Sequence, residues 1–246
     1  MQSVHHIEAF FRRRAVIFNF GRLATIGQLA ASVAHELNNP MGSILIYSNL
    51  LLEDLTEDDA HRENIKKIAA QATRCKEIVK GLLDFSRQTE PKKELTDINE
   101  LLEETLSLVE NQSIFQDVNI SKNLCASPPP LIVDKVQIQQ VFINIVLNAA
   151  EAMEGKGALI IDTRISDDGQ FMEIKTTDTG CGIPEENIER LFEPFYTKKE
   201  AGKGTGLGLA ISYGYIQRHN GTIEVKSQVG KGTTFIIKLP ISDEKK

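Results

Sequence analysis

Long apolar runs are missing from this chain. A membrane-spanning helix needs roughly 18 consecutive apolar residues. The nearest stretch, residues 7–20, is shorter and is broken by three arginines. No cleavable signal peptide is expected either. Cysteine is scarce: Cys75, Cys125 and Cys181 are an odd number without ligand-like spacing. This excludes a disulfide scaffold or a zinc site and fits the reduced thiols of a cytoplasmic protein. Basic charge is not in excess, since 28 Lys and Arg face 34 Asp and Glu, a net charge of −6. Without a basic stripe, nucleic acid is not the expected main partner. An anionic ligand stays possible, because local backbone amides outweigh net charge. Repeats and low-complexity tracts are also missing. What remains is 246 residues, 41% hydrophobic and 25% charged, enough for one large or two ordinary globular domains.

The most informative stretch is Ala34-His35-Glu36-Leu37-Asn38-Asn39-Pro40. It places an imidazole beside a carboxylate within a helical apolar pattern. A histidine with its own acid is the minimum equipment for accepting a phosphoryl group on nitrogen. Pro40 lacks an N–H and clashes one turn back, so a bendable helix near His35 is expected; a plain structural kink is the alternative.

Leu23, Ile26, Ala30, Val33, Leu37, Met41, Ile44, Ser48, Leu51 and Leu55 recur at three- and four-residue steps. They mark a long amphipathic helix with one apolar seam. Residues 53–59 form a turn. A second seam follows through Ile65, Ile68, Ala72, Cys75, Val79 and Leu82, with coiled-coil periodicity. Two such helices cannot shield their stripes alone, so a homodimeric four-helix bundle is the expected solution. The polar stretch around Pro91 reads as a linker. Beyond it, Asp97-Ile98-Asn99-Glu100 has the form of a capping box for a helix to about residue 112. Strands are expected at 118–124, 131–133, 158–165, 171–177, 222–227 and 233–239. Asp134 is the expected N-cap of a helix to about Met153. A glycine-rich loop over 180–206 leads into a helix ending near His219, where a cation suits the helix dipole. This mixture, without clean βαβ alternation, predicts an α+β two-layer sandwich.

Three motifs in the second half carry chemistry. Gln140, Asn144 and Asn148 lie at four-residue steps on one helix face. Amide oxygens there suit magnesium, or else cap neighbouring backbone. Asp178-Thr179-Gly180-Cys181-Gly182-Ile183 follows a strand. A carboxylate at a strand end accepts a hydrogen bond from the exocyclic amine of adenine, and the glycines let the backbone turn closely past the base; a plain Asp-Thr-Gly turn is the alternative. Gly202-Lys203-Gly204-Thr205-Gly206-Leu207-Gly208-Leu209 opens a helix. Its free N–H groups and the helix dipole cradle phosphate, with Lys199 and Lys203 to neutralise charge. The spacing is neither a Walker loop nor a dinucleotide fingerprint. Phe192-Glu193-Pro194-Phe195-Tyr196 supplies apolar anchors between the two glycine boxes.

With these residues in view, the chain resembles the transmitter module of a two-component sensor histidine kinase over roughly residues 22–241. The boxes are A-H-E-L-N-N-P at 34–40, Q-x-x-F-I-N-I-V-L-N-A-A-E-A-M at 139–153, D-T-G-C-G-I-P at 178–184, F-E-P-F-Y-T at 192–197 and G-K-G-T-G-L-G-L at 202–209. All five in series are very specific. N-x-x-x-N-A-x-x-A-M places the chain nearest the nitrogen-regulation-kinase-like subgroup. Lys198 departs from that subgroup's usual second threonine, leaving the phosphate role open between Lys198 and Lys199.

The resemblance implies a helical hairpin forming a dimeric four-helix bundle, then a Bergerat-type ATP-binding domain. The implied segments are 1–22 signalling or linker, 23–89 dimerisation and histidine phosphotransfer, 90–96 linker, 97–241 catalytic and 242–246 tail. It implies autophosphorylation of His35 from ATP, with Glu36 fixing the imidazole tautomer, and transfer to an aspartate of a response regulator receiver domain. Asn39, one turn beyond His35, is implied to orient water for dephosphorylating that regulator. ATP is expected on Asn144, Asn148, Asp178, Gly180, Gly182, Ile183, Phe195, Lys199, Lys203, Gly204, Thr205, Gly206, Leu207 and Gly208, and Mg2+ on Asn148. An upstream sensor domain or sensory partner is implied outside this chain. Phe10, Phe11, Phe18 and Phe20 around Arg12–Arg14 are either a remnant of it, a partner-binding helix, or a membrane-surface segment. One rival is an ATPase of the same nucleotide fold, which places a water-activating glutamate where this chain has Asn144. A non-catalytic ATP-binding scaffold is the other.

Overall fold

The connection between the first two helices explains their pairing. The computed structural model describes residues 34, 36–86, 90–199 and 204–241. Helix α1 runs over 36–54 without interruption at Pro40, and α2 is Arg62–Ser86. The last carbonyls of a helix have no intrahelical donor. Here the Arg62 guanidinium reaches back and donates to Leu52 O at 2.6 Å and Leu55 O at 2.8 Å. One cation therefore closes α1 and opens α2. Ser48, Ala72 and Val79 are buried along the hairpin. Leu37, Ile44, Leu51 and Ile68, members of the two seams, remain 44%, 38%, 48% and 52% exposed. Met41, Ile44, Ile68, Ala72 and Cys75 line an apolar cleft of about 360 Å³ between α1 and α2.

Two compact units make up the chain. One holds this hairpin together with Glu193–Leu207; the other holds Glu90–Phe192 and the chain from Gly208 onward. The second unit contains β1 (Glu94–Thr96), α3 (Ile98–Val109), a 3-10 turn (Ser113–Phe115), β2 (Asp117–Asn123), β3 (Leu131–Val133) and α4 (Lys135–Ala152). It continues with β4 (Lys156–Ile165), β5 (Phe171–Asp178), α5 (Glu185–Ile188), α6 (Gly208–Arg218), β6 (Thr222–Gln228) and β7 (Gly232–Pro240). Five strands form one mixed sheet in the order β2-β4-β5-β7-β6. The β2–β4 pair is parallel and the others are antiparallel.

Period-two alternation sets the two faces of the sheet. Leu159, Ile161, Met172, Ile174, Phe235, Ile237 and Leu239 point into the core, where they meet Leu101, Leu102, Ile138, Phe142 and Ile145 of α3 and α4. Each fully buried aliphatic side chain contributes about 1.5–3 kcal/mol. The opposite face is polar. There Arg164, Glu173 and Lys238 are direct cross-strand neighbours. Glu173 accepts from Arg164 at 2.6 Å and from Lys238 at 3.1 Å. Burial alone would raise the Glu173 carboxyl, but these two cations hold it below its ordinary range.

The architecture is the expected helical hairpin followed by an α/β sandwich, with four differences in detail. The stretch 90–96, read as a linker, carries β1, which pairs with β3 in antiparallel register, Leu95 opposite Ile132. Three residues are too few to show alternation, and their partner lies far along the chain. Helix α3 stops at Val109 rather than near 112, because the chain turns into the short 3-10 element. The glycine-rich loop contains a one-turn helix, α5. The parallel β2–β4 pair embeds a crossover through α4 that strand spacing did not reveal. The caps behave as expected: Asp97 accepts from the N–H groups of Asn99 and Glu100, and Asp134 from Gln137.

Candidate active site

Asp178 ends β5 and is 3% exposed. Its Oδ1 accepts from the backbone N–H of Gly180 at 2.8 Å and of Thr233 at 3.2 Å. Burial pushes its carboxyl up from the ordinary carboxylate range, and these two N–H groups oppose that shift. The loop that follows packs against the end of α4, where Cys181 N–H donates to Ala152 O at 3.0 Å. A Cβ on Gly180 would lie 2.7 Å from that same carbonyl. Only a residue without a side chain brings the backbone so close.

The other wall of the loop is the β6–β7 hairpin, which the motif reading missed. Gly182 has φ +72°, and a Cβ there would lie 2.1 Å from Gln228 O. Ile183 N–H donates to Ser227 Oγ at 2.8 Å. Gly230 N–H donates to Cys181 O at 2.8 Å. Gly232, at φ +109°, leaves no room for a side chain beside Asp178 O. The available signal was G-K-G-T at 230–233, a third glycine pair two strands from the first box.

Helix α4 carries the asparagines. Asn144 Nδ2 donates to Gly208 O and to Ser212 Oγ, both at 3.1 Å, and its Oδ1 accepts from Gln140 at 3.0 Å. Asn144 therefore braces α4 to the first turn of α6. Asn148 lies one turn further along α4, half-buried. Among the described residues no group of three or more His, Cys, Asp or Glu is placed to hold a metal. The side chain of Asn148 offers an amide oxygen, a hard donor. That fits an ion that keeps waters and takes phosphate oxygens for its other positions.

His219 corrects the sequence reading. It is 2% exposed rather than a cation serving the dipole at a helix end. Its Nε2 accepts from Asp134 N–H at 2.9 Å, and its Nδ1 lies 2.7 Å from Tyr215 O. Burial holds its pKa below the ordinary value. The ring is a neutral strut between α6 and the cap of α4.

The second glycine box falls in the helical unit as far as Leu207. Phe195 N–H donates to Gly206 O at 3.0 Å, which closes the base of the segment. Phe195 takes φ +67° and is 54% exposed, and Gly206 takes φ +68°. Thr205 Oγ1 accepts from Leu207 N–H, and Thr197 Oγ1 from Lys199 N–H. Gly204 packs against Thr197 and Lys199, and Leu207 is buried. Glu36 and Asn39 are exposed on α1. His35 and Lys203 lie outside the described residues.

Two domain families match the chain in tandem. Residues 25–91 match the His Kinase A (phospho-acceptor) domain, and residues 133–243 match the histidine kinase-, DNA gyrase B-, and HSP90-like ATPase family. The chain belongs to the two-component sensor histidine kinases. The signal transduction histidine-protein kinase AtoS of Escherichia coli is 37% identical over 91% of this chain. The kinase spans only 36% of that relative's own length. The solved catalytic domain of histidine kinase ThkA is 30% identical, with a TM-score of 0.56 over 63% of this chain and 99% of that one. ThkA in complex with the response regulator protein TrrA matches 100% of this chain and 69% of that chain, at 27% identity and a TM-score of 0.67. The sheet unit is thus the ATP-binding domain of a histidine kinase, and the hairpin its phospho-acceptor domain.

Proposed function

We propose that this chain is the transmitter of a sensor protein, transferring the γ-phosphoryl group of ATP to His35 and then to an aspartate of a response regulator's receiver domain. The observation that carries the reading is the buried Asp178 carboxylate. It is held at a strand end by Gly180 and Thr233, in a chain that also carries the A-H-E-L-N-N-P box at 34–40. Both bonds end on Oδ1, and Oδ2 is assigned to the exocyclic amine of adenine. Gly180, Gly182 and Ile183 face the base. The second glycine box and its lysines take the phosphates. Asn148 is the residue that would hold Mg2+, which supplies charge neutralisation on the phosphate oxygens.

Glu36 accepts a hydrogen bond from Nδ1 of His35, which leaves the Nε2 lone pair for attack on the γ-phosphorus. An N–P bond forms, the bond from phosphorus to the bridging oxygen breaks, and ADP leaves. Glu36 balances the charge that develops on the ring. Phosphoryl transfer needs positioning and charge stabilisation more than covalent help from the protein. In the second step a receiver carboxylate oxygen attacks the phosphorus and the imidazole leaves. Asn39 is assigned the orientation of a water that hydrolyses the regulator's aspartyl phosphate, releasing inorganic phosphate.

The exposed seam supports a homodimer, with Leu37, Ile44, Leu51 and Ile68 as the buried face of a four-helix bundle. No helix among the described residues is long and apolar enough to cross a membrane. The reading places this part of the protein in the cytoplasm, with its sensor domain outside the chain. The subgroup assignment to nitrogen-regulation-like kinases rests on N-x-x-x-N-A-x-x-A-M at 144–153.

Incubation with γ-labelled ATP tests the reading. Wild type acquires an acid-labile, alkali-stable label; His35→Ala acquires none; Asn148→Asp labels slowly and binds ATP weakly. Equal labelling of wild type and His35→Ala overturns it.

A further inference from the structure

Ser227 is used by no step above, yet its hydroxyl is fully engaged. It accepts from Ile183 N–H at 2.8 Å, donates to Gly232 O at 2.9 Å, and lies 3.0 Å from Thr233 Oγ1. A hydroxyl has one proton and two lone pairs, so these three partners saturate it. Each partner borders the base-reading loop. Ile183 is the loop's last residue before Pro184. Gly232 packs on Asp178 O, and Thr233 donates its N–H to the Asp178 carboxylate. Beside it, Gly182 touches Gln228 O and Gly230 is bonded to Cys181 O.

Among these contacts between the hairpin and residues 178–183, the Ser227–Ile183 bond is the one made through a side-chain hydroxyl. On the hairpin side the other ties use backbone atoms, and one of them ends on the Asp178 carboxylate. Ser227 ties Ile183, at the far end of the loop, to Gly232 and Thr233, which pack on Asp178. Its removal breaks that side-chain link between Ile183 and the surroundings of Asp178.

We propose that Ser227 is a positioning residue for nucleobase selection: it locks Ile183 at a fixed distance from the Asp178 carboxylate, so that the site tells a base with an exocyclic amine from one with a carbonyl. The proposal rests on the reading of Asp178 as the acceptor for adenine. A loose loop still binds a nucleotide through its phosphates but reads its base poorly. The effect accordingly falls on affinity and on base discrimination, not on the transfer step.

The experiment measures dissociation constants for ATP and ITP on the whole chain, by competition with a fluorescent nucleotide, together with the labelling rate at saturating ATP. Ser227→Ala is expected to weaken ATP about tenfold and to bring the ATP and ITP constants together. Its labelling rate at saturation stays within about twofold of wild type. Ser227→Thr, which keeps the hydroxyl, restores both constants. If Ser227→Ala does not fold, Ser227→Cys, with its weaker hydrogen bonds, takes the same three readouts. An unchanged ATP-to-ITP ratio in the folded variant overturns the proposal. Asp178→Asn separates the two claims. Discrimination lost there but kept in the Ser227 variant removes Ser227 alone, whereas discrimination kept in Asp178→Asn removes the base reading beneath it.

Discussion

Asp134 donates its backbone N–H to the Nε2 of His219, 85 positions further along the chain, at 2.9 Å. The same Asp134 side chain caps α4 through Gln137 N–H and receives Lys92 N–H at 2.8 Å. One buried ring thus joins the end of α6, the start of α4 and the entry into the sheet unit. His219→Ala leaves a buried donor without a partner and should cost about 1–3 kcal/mol, read as a lower Tm. The pH dependence follows from the direction of the shift. Burial holds the folded pKa below the unfolded value of roughly 6.5. The unfolded chain then binds the proton first, so this contribution to stability is complete above that value and is lost as pH falls below it. Tm measured from pH 7.5 to 5.5 should fall more steeply for wild type than for His219→Gln. Parallel curves would assign the acid sensitivity to other groups.

Asp178 carries the opposite sign. Its folded pKa is raised, mainly by burial, so its contribution to stability is greatest below the unfolded carboxylate pKa and is lost as pH rises through the folded one. At neutral pH the ionised group works against folding. Asp178→Asn keeps an oxygen for Gly180 and Thr233 but offers an amide donor where adenine also donates. Tm should hold or rise, while ATP affinity falls on the order of 30- to 100-fold. Calorimetric unfolding and nucleotide titration on the same sample check the pair of effects. A lower Tm with normal affinity would make Asp178 a structural residue only.

Leu37, Ile44 and Leu51 recur at seven-residue steps and stay 44%, 38% and 48% exposed in the single chain. Burial of such side chains is worth about 1.5–3 kcal/mol each. Ile44→Glu places a like charge from each copy into the seam, and should raise the dimer dissociation constant by at least about a hundredfold. Sedimentation at graded concentration reads this directly. A variant as dimeric as wild type would mean that the hairpin covers its stripe in another way.

Asn144 holds Gly208 and Ser212. Asn144→Ala should lower stability by about 1–2 kcal/mol, and therefore Tm by several degrees, roughly 2–4 °C per kcal/mol. ATP affinity should fall far less than in Asn148→Asp. Matching losses of affinity in the two variants would make Asn144 a nucleotide contact as much as a brace.

Periodic and capped elements were the legible ones. Asp97 and Asp134 announce α3 and α4 because their side chains satisfy the first free N–H groups of a helix. The inward strands could be read because Ile161 and Thr163 alternate with Asp162 and Arg164, and Met172 and Ile174 with Glu173 and Lys175. Strand β1 was hidden, because three residues carry no period and its pairing with β3 is non-local. His219 was misread for the same reason, since the donor that fills its ring nitrogen lies far away in sequence. The glycine boxes gave the chemistry of the base loop from one strand end. Its second wall, Ser227 to Thr233, came from a hairpin that only the sheet order brings alongside. Local pattern reports what a residue does to its own segment. Long-range partners, which decided Asn144, Ser227 and His219, leave no mark in it.

The most direct measurement is the position of the phosphoryl group after brief incubation with ATP, read by tandem mass spectrometry on peptides kept at neutral to alkaline pH. The account predicts modification of His35 alone, appearing at the rate of the labelling reaction and disappearing when a receiver domain is added. Phosphate on a serine, threonine or another histidine, with His35 unmodified, would contradict it.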